Sequence, residues 1–275
     1  MMAKGAQQSL NAPRDLPFAS VQPTIHVFGV SIKTFGVMFA LGFLAAGLVL
    51  GRRLKELGKP MDWTYEVVFA SLVGGVVGAK VYYVVQHGDL GSLFSGTGLV
   101  WYGGVIGGAA GVIGWAWWRK MLNLQLLDIC CIPLALGYVV GRIGCQVSGD
   151  GDYGIAWNGP WAMSYPHGTV PTTQTVHPTP IYETLAVGLV TWWLWRNRDV
   201  FRPGILFAWY LVLTGLERFL VEFIRRNAEV VAGLTAPQLE SLGLIVAGVV
   251  WLLIVRRRRG GIRQRPERER APALA

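Results

Sequence analysis

Seven predominantly apolar stretches constrain this chain more than any other feature, because each is close to the 20 or so residues that a helix needs to cross a bilayer. They occupy residues 28–50, 63–85, 99–118, 126–147, 180–195, 204–224 and 239–255. Charged residues make up only 15% of the chain and the mean hydropathy is +0.41, which excludes a soluble globular enzyme and a disordered chain. The sequence predicts an all-α fold, a polytopic membrane protein with about seven transmembrane helices.

Basic residues alternate from one connection to the next, and this alternation predicts the orientation. Lys and Arg are concentrated after the first, third and fifth apolar stretches, whereas the connections at 86–98 and 148–179 contain neither. Because cytoplasmic loops carry an excess of Lys and Arg, we predict a periplasmic N-terminus and a cytoplasmic C-terminus. The predicted division is an N-terminal periplasmic segment 1–24, a seven-helix transmembrane domain 25–255 and a basic cytoplasmic tail 256–275.

Most of the net charge of +9 lies in the tail, where residues 256–275 contain eight Arg and two Glu. A basic segment directly after an apolar stretch is typical of a cytoplasmic anchor that faces anionic lipid. No aromatic interleaving or nucleic-acid-binding motif accompanies it. We therefore expect membrane lipid, and no nucleic acid, as a partner. The three Cys have no metal-ligand spacing, and the sequence predicts no metal and no cofactor.

The connection at 148–179 is long and rich in turn-forming residues, and it contains Trp157, Trp161 and Tyr165. Large aromatic side chains are typical of a packed region rather than of a bare linker. The sequence therefore predicts a small ordered periplasmic cap between helices 4 and 5.

Glycines recur at every fourth position in two of the apolar stretches. Gly103, Gly107 and Gly111 lie in the third, and Gly74 and Gly78 lie in the second. Small residues at this spacing let helix backbones approach closely in lipid, so we interpret them as packing residues rather than as a phosphate-binding loop.

Several ionisable residues lie inside the apolar stretches, where each costs about 2.5–3.5 kcal/mol to insert and is a functional candidate. Arg218, Glu222 and Arg225 are spaced i, i+4 and i+7, which places them on one helix face. Arg142 lies near the outer end of the fourth stretch. Two guanidiniums at similar depth suit one phosphate, whose oxygens Arg binds bidentately. The alternative is structural ion pairs, such as Arg218 with Glu222 or Arg142 with Asp150.

Four segments, taken in order, resemble the motifs of the prolipoprotein diacylglyceryl transferases, which are multi-span enzymes of the bacterial plasma membrane. WYGGVIG at 101–107 is similar to the family's HGGLIG, and GRIGCQVSGDGDYG at 141–154 is similar to its GRxGNFxNxExxG. HPTPIYE at 177–183 matches its HPxxLYE, and RFLVEFIR at 218–225 matches its RxxxEFxR. The resemblance covers nearly the whole chain from 25 to 255.

The resemblance implies an activity and its partners. Such an enzyme moves the diacylglyceryl group of phosphatidylglycerol to the lipobox cysteine thiol of prolipoprotein signal peptides, the first step of lipoprotein maturation. Phosphatidylglycerol and prolipoprotein lipobox signal peptides are therefore the implied substrates. The physical basis of this reaction is positive charge. It stabilises the leaving phosphate, and guanidiniums lower the pKa of a nearby thiol.

The resemblance also implies site residues. Arg142 and Arg218 would stabilise the phosphate, and Tyr102, at the position of the family's His, ranks first as general base ahead of His177, Glu222 and Asp150. The implied catalytic residues are thus Arg142, Arg218 and Tyr102. The implied substrate-binding residues are Gly104, Gly144, Gly154, Asp150, His177, Tyr182, Glu183, Glu222 and Arg225.

Departures from the family pattern leave alternatives open. A His, two Asn and a Glu are replaced by Tyr102, Cys145, Ser148 and Asp150, and one residue is inserted in the segment GDGDYG. Phe35 and Thr214 stand where tyrosines are expected. A catalytically silent relative that binds lipid or lipoprotein precursor is therefore one alternative. A transporter is another, because intramembrane charges also line conduction paths, although the chain has no internal repeat.

Overall fold

The computed structural model describes residues 21–88, 91 and 100–264, and seven helices dominate this part of the chain. They are α1 (Thr34–Glu56), α2 (Asp62–His87), α3 (Trp101–Trp118), α4 (Leu124–Ser148), α5 (Thr179–Arg196), α6 (Ile205–Glu222) and α7 (Ala236–Arg259). Four of them, α1, α2, α4 and α7, are long and apolar enough to cross a membrane. The other three have 18 residues each. The predicted all-α polytopic fold is confirmed.

Three short antiparallel hairpins accompany the helices, one before α1 and two between later helices. They are β1 (Thr24–Val27) with β2 (Val30–Lys33), β3 (Met163–Tyr165) with β4 (Thr172–Val176), and β5 (Glu229–Val231) with β6 (Leu234–Thr235). The first hairpin shows that the expected helix start at residue 28 is wrong. Phe28 and Gly29 have φ values of 49° and 80° and form the two-residue turn that favours a hairpin, so α1 begins only at Thr34.

The chain divides into two compact units, Ala46–Pro133 and Met1–Ala45 with Leu134–Ala275. In the first unit, α2 and α3 pack through the glycines that recur at every fourth position. A Cβ atom at Gly107 would lie 2.2 Å from the carbonyl oxygen of Gly74, and one at Gly78 would lie 2.3 Å from that of Gly103. No side chain fits at such distances, so the two backbones are in direct contact, as the spacing predicts.

Glu66 is an intramembrane charge of this first unit, and its contacts are structural. The Nε of Arg119 donates a hydrogen bond of 2.8 Å to the Glu66 carboxylate, a second guanidinium nitrogen pairs with its other oxygen, and the Trp115 indole donates one of 2.7 Å. The carboxylate therefore links the first turns of α2 to the end of α3.

In the second unit, the connection between α4 and α5 forms an ordered cap around the β3–β4 hairpin. Its buried core consists of Tyr153, Met163, Tyr165 and Val176. The rings of Tyr153 and Tyr165 stack with centroids 5.0 Å apart, and the backbone N–H of Ile155 donates to the carbonyl oxygen of Ile224 at 2.8 Å. The cap is thus packed within itself and fastened to the residues after α6, which confirms that this connection is ordered.

Candidate active site

Three helices of the second unit bring charged side chains together around one buried carboxylate. Glu183, in the first turns of α5, is fully buried. The Nε of Arg142 in α4 lies 2.8 Å from its Oε2, and Nη1 of Arg225, just after α6, donates to its Oε1 at 2.8 Å. Nη1 of Arg218 in α6 lies 3.8 Å from Oε2. We use the name Glu183 cluster for Arg142, Asp152, Glu183, Arg218, Glu222 and Arg225.

Local sequence explains why Glu183 lies at this point. Pro180 occupies the first turn of α5, a position where its missing N–H costs nothing. The hydroxyl of Thr179 donates a 2.5 Å hydrogen bond to the carbonyl oxygen of Asp152. The start of α5 is therefore fixed to the loop after α4, and the carboxylate one turn later points at Arg142.

Asp152, in that loop, is the second carboxylate of the cluster. It accepts a hydrogen bond from Arg142 and a 2.6 Å hydrogen bond from Nη2 of Arg225. Burial raises the pKa of this carboxyl, but the two guanidiniums together outweigh burial and hold the pKa below its ordinary value. The alternative pair of Arg142 with Asp150 is not formed among the described residues, because Arg142 pairs with Asp152 instead, and Asp150 Oδ1 accepts a 3.3 Å hydrogen bond from the backbone N–H of Asp152.

Glu222 is the third carboxylate, and it is also buried. The expected i, i+4 pair is present, with Nη2 of Arg218 2.9 Å from Oε2 of Glu222. Glu222 Oε2 has no hydrogen-bond partner within the described ranges, so its contact with Nη2 of Arg218 is an ion pair rather than a hydrogen bond. Nη1 of Arg218 likewise has no hydrogen-bond partner there. Oε1 of Glu222 accepts hydrogen bonds from Asn227 at 2.5 Å and Thr235 at 2.9 Å. Nη1 of Arg218 therefore keeps hydrogen-bonding capacity, whereas Nε and Nη1 of Arg142 both contact carboxylates.

Tyr138 is a site residue that sequence reasoning missed. Its hydroxyl donates a hydrogen bond to Glu183, and the guanidinium of Arg142 lies 4.8 Å from its ring centroid. It precedes Arg142 by four residues, so the same helix face that presents Arg142 also presents Tyr138. The i, i+4 spacing of Tyr138 and Arg142 is the sequence feature from which Tyr138 could have been predicted. Asp152 was missed for a different reason, because the inserted residue in GDGDYG obscures which aspartate aligns with the family's acid.

His177 and Tyr182 lie together beside the cap rather than in the contacts of the Glu183 cluster. The His177 ring stacks on Trp157 with centroids 4.3 Å apart, and its Nδ1 lies 3.2 Å from the Tyr182 hydroxyl oxygen. The Trp161 indole donates a 2.7 Å hydrogen bond to the same hydroxyl. Partial burial lowers the pKa of His177 and so favours the neutral ring.

The three predicted glycines are all close to neighbouring backbone or side chains. A Cβ at Gly144 would lie 2.9 Å from the Cβ of Met38 in α1, and one at Gly154 would lie 2.3 Å from the carbonyl oxygen of Ile224. Gly104 faces α2, where a Cβ would lie 3.7 Å from the carbonyl oxygen of Gly75. Gly144 and Gly154 thus permit close packing next to the cluster, whereas their contact with substrate stays a prediction, as does that of Gly104.

Tyr102 belongs to the other compact unit, together with Gly104. It lies at the start of α3, and 44% of its surface is exposed. Its side chain is therefore accessible to a substrate. Its catalytic role stays a prediction.

Cys145, Asp150 and Asp152 form the one group with metal-ligand geometry that we find in the described part of the chain. Their ligand atoms lie within 4.8 Å of one another. However, Arg142 and Arg225 both contact Asp152, so their guanidiniums already neutralise the charge of this carboxylate. We assign no metal to this group.

The sequence matches the prolipoprotein diacylglyceryl transferase family over residues 22–254, a range that contains the whole Glu183 cluster. The chain belongs to this family. A phosphatidylglycerol–prolipoprotein diacylglyceryl transferase of Clostridium tetani is 31% identical over 234 residues, which cover 81% of this chain and 93% of that protein.

Two further relatives carry the same name. The Finegoldia magna protein is 30% identical over 234 residues, covering 82% of this chain and 91% of its own length. The Geobacter sulfurreducens protein is 27% identical over 265 residues, covering 90% and 100% respectively. Together with the apolar helices, these matches identify the chain as a bacterial membrane protein of a transferase family.

Proposed function

We propose that this member of the family transfers the diacylglyceryl group of phosphatidylglycerol to the lipobox cysteine thiol of prolipoproteins, with glycerol phosphate as the leaving group. The observation that supports this proposal most directly is the approach of Arg142 and Arg218, from separate helices, to the same buried carboxylate of Glu183. Positive charge fixed in this way stabilises a phosphate as the carbon–oxygen bond breaks, which is electrostatic catalysis of the oxyanion-hole kind.

The other proposed roles extend this arrangement. Tyr102 is the third catalytic residue and takes part in proton transfer, and a thiol near the guanidiniums ionises more easily than a free thiol. The substrate-binding residues that we propose are Gly104, Gly144, Gly154, Asp150, His177, Tyr182, Glu183, Glu222 and Arg225. For Glu183 and Glu222 the role is to hold the guanidiniums, since each carboxylate contacts at least two of them.

We also propose the orientation that the basic connections indicate. The N-terminal segment 1–24 and the cap lie on the periplasmic side of the plasma membrane, and the tail 256–275 lies in the cytoplasm next to anionic lipid. The Glu183 cluster, beside the cap, then faces the outer leaflet, where a secreted lipobox peptide arrives. Nucleic acid has no part in this function.

Labelled phosphatidylglycerol and a lipobox peptide, supplied to the purified full chain in lipid nanodiscs, test the proposal directly. The wild-type protein is expected to form the thioether product, and Arg142→Ala and Arg218→Ala are each expected to abolish it. Arg257→Ala, at the exposed end of α7, is the matched control and should keep the wild-type rate. Size-exclusion profiles establish that each variant is inserted and folded. A near wild-type rate in either Arg142→Ala or Arg218→Ala would contradict the phosphate role.

One observation supports a second candidate, a relative that binds the lipid or the precursor without catalysis. Phe35 and Thr214 supply no phenol, and the Thr214 hydroxyl donates to the carbonyl oxygen of Tyr210 within its own helix at 2.6 Å. The same assay separates the two candidates. Saturable binding of phosphatidylglycerol with no product from the wild-type protein would favour the silent relative.

A further inference from the structure

Helix α6 carries a fourth carboxyl group beside the Glu183 cluster that the proposed reaction has not yet used. Glu217 directly precedes Arg218, its side chain is partly buried, and its charge interacts with those of Glu183, Arg142 and Arg225. It lies five residues before the end of α6, about 7 Å along the axis. Among the described residues, Glu217 makes no hydrogen bond and no close ion pair.

Glu217 lies on α6 between an exposed apolar stripe and the face that carries Arg218. Leu216, Leu220 and Phe223 are 45%, 56% and 60% exposed and form an outward stripe at i, i+4 and i+7. Since successive residues are rotated by about 100°, Glu217 lies between this apolar stripe and the face that carries Arg218. A diacylglyceryl substrate has its acyl chains against apolar surface and its phosphate against Arg218. A substrate bound in this way would place its reacting glyceryl carbon between the apolar stripe and Arg218, on the side of α6 where Glu217 lies.

The other three carboxylates are already occupied as hydrogen-bond acceptors or ion-pair partners. Glu183 accepts from Tyr138 and Arg225 and pairs with Arg142. Glu222 accepts from Asn227 and Thr235 and pairs with Arg218. Asp152 accepts from Arg142 and Arg225, which together hold its pKa below the ordinary value. A carboxylate in such surroundings is a poor acceptor for a substrate proton.

We propose that Glu217 is the proton acceptor for the substrate thiol, a role that rests on the transferase function proposed above. The Glu217 carboxylate takes the proton of the S–H group, and the sulfur electron pair forms the new C–S bond to the glyceryl carbon. The C–O bond to the phosphate breaks, and its electron pair leaves with glycerol phosphate, whose charge Arg218 and Arg142 stabilise. Glu217 then returns the proton to the departing phosphate or to water.

This assignment divides the proton chemistry between Glu217 and Tyr102. A phenol has an ordinary pKa near 10 and is rarely deprotonated at neutral pH, so it is an inefficient base there, whereas Glu is among the side chains that commonly serve as general bases. Tyr102 is better suited to donate a hydrogen bond than to accept the thiol proton. His177 is held by its stacking on Trp157 and its contact with Tyr182.

A substrate whose nucleophile is already ionised needs no base. Such a substrate therefore separates a role of Glu217 as base from an effect of its replacement on the structure. Transfer from phosphatidylglycerol is measured in nanodiscs with two lipobox peptides that are identical except for cysteine or reduced selenocysteine, because a selenol is already ionised at neutral pH. Glu217→Gln is expected to lower the rate with the cysteine peptide by at least about a hundredfold, in the range for one general base. With the selenocysteine peptide it is expected to retain a rate close to wild type.

Two further variants complete the design. Glu229→Gln removes the same charge from the exposed β5 strand and should change neither rate. Glu217→Asp keeps the carboxylate one methylene further away. It is expected to show a smaller loss with cysteine that selenocysteine again restores, and it carries the test if Glu217→Gln does not insert.

The possible outcomes separate the role of Glu217 from the transferase function itself. A wild-type rate of Glu217→Gln on the cysteine peptide would overturn the role of Glu217, and so would an equal loss on both peptides, which would indicate a structural effect or an effect on the leaving group. A wild-type protein inactive on both peptides would instead overturn the transferase function and this role with it.

Discussion

Replacing Glu183 by Gln is the most direct perturbation of the cluster, because every guanidinium in it contacts this side chain. Glu183 is fully buried, pairs with Arg142 and Arg225 at 2.8 Å each and accepts a hydrogen bond from Tyr138. Glu183→Gln removes the negative charge and turns one end of the carboxylate into a donor that faces guanidinium donors. Breaking a buried ion pair by removing one partner costs about 3–5 kcal/mol. We expect the free energy of unfolding to fall by about that amount.

Unfolding of the full chain by SDS in mixed micelles, followed by tryptophan fluorescence, measures this loss. Glu66→Gln is the matched control, since that carboxylate also binds an arginine and an indole but its side chain is 26% exposed, so water replaces part of what is lost. Its effect should be clearly smaller. A loss of less than about 1 kcal/mol in Glu183→Gln would refute the reasoning, because it would mean that the three guanidiniums do not depend on this carboxylate.

Tyr102→Phe should lower the transfer rate at least about tenfold, and an unchanged rate would remove this hydroxyl from the chemistry. Gly107→Ala should lower the unfolding midpoint because its Cβ would lie 2.2 Å from the Gly74 carbonyl oxygen, whereas Gly114→Ala meets no atom within 4 Å and should not; equal midpoints would contradict the close packing. Because the folded pKa of Asp152 lies below its unfolded value of about 3.9, its stabilising contribution is full above that value and is lost as the pH falls through the folded pKa. Wild-type stability should therefore drop below about pH 4, and parallel pH profiles of wild type and Asp152→Asn would count against this linkage.

The helices could be predicted from the sequence because runs of about 20 apolar residues indicate helices that cross a membrane. Each predicted stretch overlaps one observed helix, and the glycines at every fourth position do pack α2 on α3. The first hairpin could not be found in this way. Apolar residues continue from residue 28 into α1, and the turn at Phe28 and Gly29, with positive φ at both residues, separates a hairpin from a helix start.

The candidate site was predictable where its contacts are local in sequence. Arg218 and Glu222 pair as their i, i+4 spacing requires. The partner of Arg142 was not predictable, because Gly149 and Gly151 both have positive φ, 58° and 97°. They turn the loop so that the second aspartate of GDGDYG, rather than the first, reaches the guanidinium. Glu183 is contacted by residues some 40 positions away in either direction. These contacts depend on the packing of three helices, so the spacing of residues in the sequence does not predict them.

The charge balance of the Glu183 cluster bears on how a phosphate can enter it. Three guanidiniums contact three carboxylates, so the buried group carries little net charge, which reduces the cost of placing it at helix ends near lipid. Arg142 and Arg225 each contact two or more carboxylates, and either must give up such a contact to bind phosphate. Arg218 also contacts two carboxylates, Glu183 and Glu222, but its Nη1, 3.8 Å from Glu183, has no hydrogen-bond partner within the described ranges and can donate to a phosphate without breaking a hydrogen bond. In the proposed reaction, Arg218 therefore makes the first phosphate contact. Arg142 contributes later, when its contacts with Glu183 and Asp152 weaken and its guanidinium binds the leaving phosphate.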